Sequence, residues 1–72
     1  MPTVEERMAA TRARLGLRQQ DVAEQAGVGR AAITRAEAGK SRLNGTNCDR
    51  IEAWLERNPP DQDASANGPN RL

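Results

Sequence analysis

Three residues, Gly27-Val28-Gly29, separate two stretches that both read as helices, and this spacing constrains the chain more than any other feature. Gly27 can take the left-handed backbone conformation that closes a helix, at no steric cost. Val28 is an apolar residue at the centre of the turn, placed to plug the angle between the helices. On the near side, the segment from Gln19 to Ala26 carries Val22, Ala23 and Ala26 at i, i+1 and i+4, a narrow apolar stripe. Ala23 is small at a point where two helix backbones must approach. On the far side, the spacing predicts a helix from Arg30 to Ala38 that turns Ile33 and Ala36 inward. Arg30, Thr34 and Arg35 lie elsewhere on that cylinder, and Gly39 stops it.

The flanks supply further elements. Thr3-Val4-Glu5-Glu6 has the form of a capping box, with Thr3 accepting from a first-turn N–H and Glu6 reaching back. Val4, Met8 and Leu15 follow at helical spacing, so a helix is expected over residues 4–15, closed by Gly16, with Leu17 folding back onto its last turn. Lys40 to Gly45 reads as a polar loop carrying Leu43. Thr46 is expected to open a fourth helix, with Asp49 as a partial box. Cys48, Ile51 and Leu55 share one face of it and Trp54 borders that face. Asn58-Pro59-Pro60 ends it, because a residue before proline is pushed out of the α region. Beyond Pro60 only Leu72 is large and aliphatic, a composition that buries too little apolar surface to offset ordering entropy. The expected organisation is a domain over residues 1–58 and a flexible tail over 59–72.

Composition agrees with helices. The 72 residues include no Phe and no Tyr, and are rich in Ala, Arg, Glu and Gln. A chain of this length makes one domain at most. The expected fold class is therefore all-α.

Composition also excludes several functions. Cys48 is the only cysteine, so no intramolecular disulfide forms, and without His a zinc site is set aside. No metal, cofactor or small-molecule substrate is expected. No apolar run approaches the roughly 20 residues of a membrane span, and the start has no signal-peptide pattern, so the chain reads as cytoplasmic. There is no Ser–base pair, P-loop or dinucleotide glycine pattern, and the acids are spread over helix surfaces. A chain this small also lacks room for an ordinary substrate pocket of about 300–1,000 Å³. It does not read as an enzyme.

Two short helices joined by a tight glycine-containing turn form a helix-turn-helix unit, whose second helix can enter the DNA major groove. The net charge of +1 says little. Its distribution says more: from Arg30 to Arg42 there are four basic residues and one acid, Glu37. Arg30 can pair bidentately with guanine O6 and N7. Arg35 can read a base or bind a phosphate. Ala31 and Thr34 offer methyl groups to thymine, and Thr34 adds a hydroxyl. Gln19 opens the preceding helix, where backbone N–H groups attract anions. Lys40, Ser41 and Arg42 follow as phosphate anchors.

The run from Gly16-Leu17-Arg18-Gln19 through Val22-Ala23 and Gly27-Val28-Gly29-Arg30, continuing Ile33-Thr34-Arg35-Ala36-Glu37-Ala38-Gly39-Lys40, resembles the lambda-repressor-like family, also called the Cro or XRE family. The likeness covers roughly residues 7–57. It implies a compact domain of four, at most five, short helices that binds double-stranded DNA and regulates transcription at an operator. It implies Gln19 on a phosphate, Arg30, Ala31 and Arg35 facing bases with Thr34 nearby, and Lys40 and Arg42 on the backbone. Arg12 and Glu37 fall where the family often joins its first helix to the recognition helix by an ion pair. The size points to a phage-type repressor or Cro-like protein, acting in the cytoplasm of a bacterial or phage-infected cell, on the nucleoid. A palindromic operator calls for a homodimer on DNA, with a monomer in solution as the alternative and Trp54 and Leu55 as candidate contact.

The chain also departs from the family pattern. Arg18 occupies the cap position of the second helix and cannot accept a capping bond. Gly29 replaces Ser or Thr at the next cap, and Ala36 replaces a large aliphatic residue, which thins the core. Plainer readings stand beside these: arginines on a solvated face, Gln19 as a simple helix start, Cys48 as a small helix residue, Trp54 as core. The rival function on this fold is a protein-interaction module, an antitoxin or an adaptor for a host or polymerase protein.

Overall fold

The computed structural model describes residues 1–59. They form four helices, α1 (Val4–Leu15), α2 (Gln19–Ala26), α3 (Arg30–Glu37) and α4 (Gly45–Arg57), with no strand among the described residues. The tail anticipated over 59–72 lies outside the described residues except for Pro59.

Each helix boundary follows from local chemistry. The α1 capping box forms: Glu6 N–H donates to Thr3 Oγ1 at 3.1 Å, and Thr3 N–H donates to Glu6 Oε1 at 3.0 Å. Gly16 closes α1 at φ 70 and Gly27 closes α2 at φ 80, both in the left-handed region. Arg18 at the head of α2 has no acceptor to offer, and the site is repaired from the other side. The Asp21 carboxylate accepts the Arg18 N–H at 2.9 Å and pairs with its guanidinium at 2.9 Å. These bonds from Arg18 hold the Asp21 carboxyl below its ordinary pKa.

Two boundaries differ from those anticipated. α3 ends at Glu37 rather than Ala38, which becomes its cap. Lys40 N–H then bonds back to the Arg35 carbonyl at 2.9 Å, across the left-handed Gly39. α4 begins at Gly45, not Thr46, with extended Asn44 as its cap residue. Thr46 therefore sits inside the first turn, where it cannot serve as the cap of a Thr46–Asp49 box.

The core lies where the helices meet. α1 packs on α3 and α4, and α2 packs on the same two helices. Met8, Val22, Ala23, Ile33, Ala36, Leu43, Ile51, Trp54 and Leu55 are buried together, with Val28 of the turn packed against them. Trp54 is 0% exposed and Leu55 4%, so as a contact between copies they offer almost no surface. Their place is inside the protomer. The indole N–H of Trp54 donates to Gln25 Oε1 at 3.0 Å, which satisfies its one polar atom.

α4 also grips the backbone of the α2–α3 turn. Arg50 donates to the Gly27 carbonyl and Arg57 to the Gln25 carbonyl, the latter at 3.0 Å. These bonds satisfy carbonyls that the end of α2 leaves without helical partners.

A domain of this size is stable by only about 3–9 kcal/mol, and truncating a buried tryptophan costs about 3–5 kcal/mol. Trp54→Ala should therefore lose most of its helical far-UV circular dichroism at 37 °C. A melting temperature within a few degrees of the parent would show that Trp54 is not the centre of the core.

Candidate nucleic-acid interface

α3 divides cleanly between core and surface. Ile33 and Ala36 face inward and are buried, while Arg30, Ala31, Thr34, Arg35 and Ala38 are exposed. At about 100° per residue these five fall in one arc of roughly 140°. Ala38, the small cap residue of α3, belongs to this arc and was not among the residues expected to line it.

An ion pair ties the end of α3 to α1. Arg12 of α1 donates from Nε to Glu37 Oε2 and from Nη2 to Glu37 Oε1, both at 2.7 Å. Its Nη1 donates to the Leu17 carbonyl at 2.9 Å. The pair is largely shielded from water, with side-chain exposures of 26% for Arg12 and 12% for Glu37. Burial pushes the Glu37 pKa up, but the hydrogen bonds from Arg12 and Gln19 and the Arg12 charge outweigh it. The net value lies below the ordinary 4.5. The Arg12 pKa is raised, chiefly by its hydrogen bond to Glu37.

Gln19 enters the same network. Its Nε2 donates to Glu37 Oε1 at 3.1 Å, and its Oε1 accepts from the Thr34 hydroxyl at 2.7 Å. Sequence reasoning placed Gln19 at the head of α2 and Thr34 on α3 but did not connect them. The link depends on how α2 crosses α3, which no local pattern encodes. One amide hydrogen of Gln19 is left over, available to an anion at the α2 N-terminus.

Apart from Arg7 on α1, which is exposed and has no side-chain partner, the described cations divide into two groups. Arg12, Arg14, Arg18, Arg50 and Arg57 bond to the protein itself, through Glu37, the Asn58 carbonyl, Asp21 and the carbonyls of Gly27 and Gln25. Arg30, Arg35, Lys40 and Arg42 are exposed, and none of their side chains makes an ion pair or hydrogen bond. Glu37 is the one acid between Gly27 and Asn44, and Arg12 neutralises it. This segment therefore presents a net positive charge, which only Glu5, near Arg42, partly offsets.

The loop after α3 is fixed in place. Leu43 is buried, and its N–H donates to Glu5 Oε2 at 2.6 Å. Burial raises the Glu5 pKa, but hydrogen bonds and the nearby Arg42 charge bring it below its ordinary value. Ser41 and Arg42 line one shallow depression with Arg35, Asn44 and Asn47. Asn44 and Asn47 are polar groups that no sequence motif singles out. On the other side, Ala36 and Arg42 border a cleft of about 360 Å³ between the start of α1 and the end of α3, which corrects the expectation that so short a chain has no room for a space of this size. The small Ala36 leaves this space open.

Among the described residues, no cluster of His, Cys, Asp or Glu could hold a metal ion, and no helix is long and apolar enough to cross a membrane. The Cys48 thiol is half-buried. Burial and the nearby Glu52 carboxylate push its pKa up, which disfavours the reactive thiolate.

Two short helices at a glycine turn, with a cationic outward arc on the second, define a DNA-binding helix-turn-helix domain. A helix-turn-helix family model matches residues 8–61, most of the chain. The chain belongs to this family, of the Cro/C1 type, whose members are DNA-binding, non-enzymatic regulators of transcription. No curated protein and no solved structure gives a significant match.

The lowered Glu37 pKa fixes a sign for the pH dependence. A carboxylate whose folded pKa is depressed contributes stability that is present above its ordinary value of 4.5 and lost as pH falls through the folded value. Glu37→Gln should melt roughly 5 °C lower near neutral pH, in line with a loss of about 1 kcal/mol. The gap to the parent should narrow as the pH is lowered from 5 to below the folded pKa. A gap independent of pH, followed by thermal denaturation, would show that the Glu37 charge does not stabilise the fold.

Proposed function

We propose that the protein binds a specific double-stranded DNA operator through α3 and regulates transcription there, in the manner of a phage-type repressor or Cro-like protein. The observation that carries this reading is the partition of the cations. Those that hold the fold are paired, and the four from Arg30 to Arg42 are not. In this reading Arg30, Ala31, Thr34 and Arg35 face base edges. Gln19, Lys40, Ser41 and Arg42 hold phosphates on either side. Occupying the operator would block polymerase.

The proposed assembly on a palindromic operator is a homodimer, since each recognition helix reads one half-site. Its contact would fall on exposed residues of α4 or of the loop before it, because Trp54 and Leu55 are committed to the core.

Binding of fluorescent duplexes across a range of salt concentrations tests this reading. Arg30→Ala and Arg35→Ala should each lower affinity for a selected duplex by roughly 5- to 100-fold and relax preference at one position. Lys40→Ala should weaken binding to all sequences alike and make the salt dependence shallower by about one counterion. Unchanged affinity in both arginine variants would favour a protein-interaction module.

A further inference from the structure

The hydrogen bonds around Gln19 have a direction, and the direction determines what Thr34 can recognise. The chain of bonds starts at Arg12, which donates twice to Glu37 at 2.7 Å and so fixes it as an ionised carboxylate. A carboxylate only accepts, so the Gln19 atom facing it at 3.1 Å must be the amide nitrogen. Flipping the amide would set Oε1 against a carboxylate oxygen. With the nitrogen held there, Oε1 faces the Thr34 hydroxyl at 2.7 Å. Oε1 cannot donate, so Thr34 must, and the single hydroxyl hydrogen is used.

Thr34 nevertheless remains exposed on the outward arc of α3, between Arg30 and Arg35 in sequence. Besides its methyl group, what it has left to hydrogen-bond with DNA is an oxygen lone pair. An acceptor cannot bond a phosphate oxygen, nor O6 or N7 of guanine, nor O4 of thymine. It can bond an exocyclic amino group, N6 of adenine or N4 of cytosine, in the major groove. Adenine differs from guanine at position 6, and cytosine from thymine at position 4, by amino against keto.

We infer that Thr34 is a specificity-determining residue that selects an amino base, adenine or cytosine, over its keto counterpart at one position of the operator, because Gln19 and Glu37 hold its hydroxyl as an acceptor. This rests on the DNA-reading function proposed above and adds the chemical polarity of one contact. Arg30 and Arg35, as donors, select the opposite chemistry, so α3 presents an acceptor between two donors.

Selection of duplexes from a random pool by the full chain, with sequencing, tests it. The unmodified protein should show one position where A or C is preferred over G or T by roughly tenfold, the usual scale for one mismatched pair. Thr34→Val keeps the shape, removes the oxygen and should level that position alone. Thr34→Ser should keep the preference. Gln19→Met releases the hydroxyl hydrogen and should let keto bases in at the same position. Circular dichroism confirms that each variant folds. A Thr34→Val profile identical to the parent at every position, or an affected position that prefers G or T, would overturn the inference while leaving the DNA-binding function standing. Recovery of no motif by the unmodified protein would overturn both.

Discussion

Arg12 reaches from α1 to the last residue of α3 and holds both oxygens of Glu37, and this grip ties the end of α3 to α1. Exposed ion pairs contribute little to stability, because water and salt screen them. This one is mostly withdrawn from water, bidentate, and tied at its third nitrogen to the Leu17 carbonyl. Desolvating two charges is expensive, so its value lies less in net stability than in defining one geometry. Removing either partner would leave the other charge half-buried without its counterpart. The same carboxylate orders Gln19, and through Gln19 it orders Thr34. A bond between α1 and α3 thus reaches the exposed arc of α3.

α4 supports the arrangement from behind. A chain with one aromatic residue has little apolar bulk with which to fix a helix pair, and Trp54 supplies much of it. The arginines of α4 then hold the backbone carbonyls at the end of α2. Hydrophobic contact and directional bonds to the turn thus both join α4 to the helix pair. Arginines thus serve two purposes, bracing the frame where carbonyls or acids meet them and staying free where none do.

Much of this was legible in the sequence because it depends on near neighbours. The left-handed positions at Gly16, Gly27 and Gly39 were readable because only glycine enters that region without strain. The outward set on α3, Ala38 apart, followed from helical periodicity alone. The start of α4 was not readable: Asn44 is extended with no side-chain cap and Gly45 enters the helix at φ 53, so the better capping residue, Thr46, drew the boundary. Trp54 was read as bordering a stripe through Ile51 and Leu55. A core-facing stripe is at least about 100° wide, and three residues past Ile51 falls within it. The Gln19–Thr34 bond joins residues fifteen apart on two helices and was hidden until their crossing was known. The repair at Arg18 by Asp21 was within reach, since an acid three residues into a helix is the second half of a capping box.

Mapping the DNA-facing surface residue by residue tests the central claim most directly: α3, as Arg12 and Glu37 tie it to α1, is the face that meets DNA. Uniformly 15N-labelled full chain titrated with duplex DNA would show which backbone amides shift. The arrangement predicts that shifts concentrate at Gln19, from Arg30 to Arg35 and from Lys40 to Arg42, and spare the exposed α1 positions Ala10 and Ala13. Shifts centred on α4, with α3 unperturbed at saturating DNA, would contradict it.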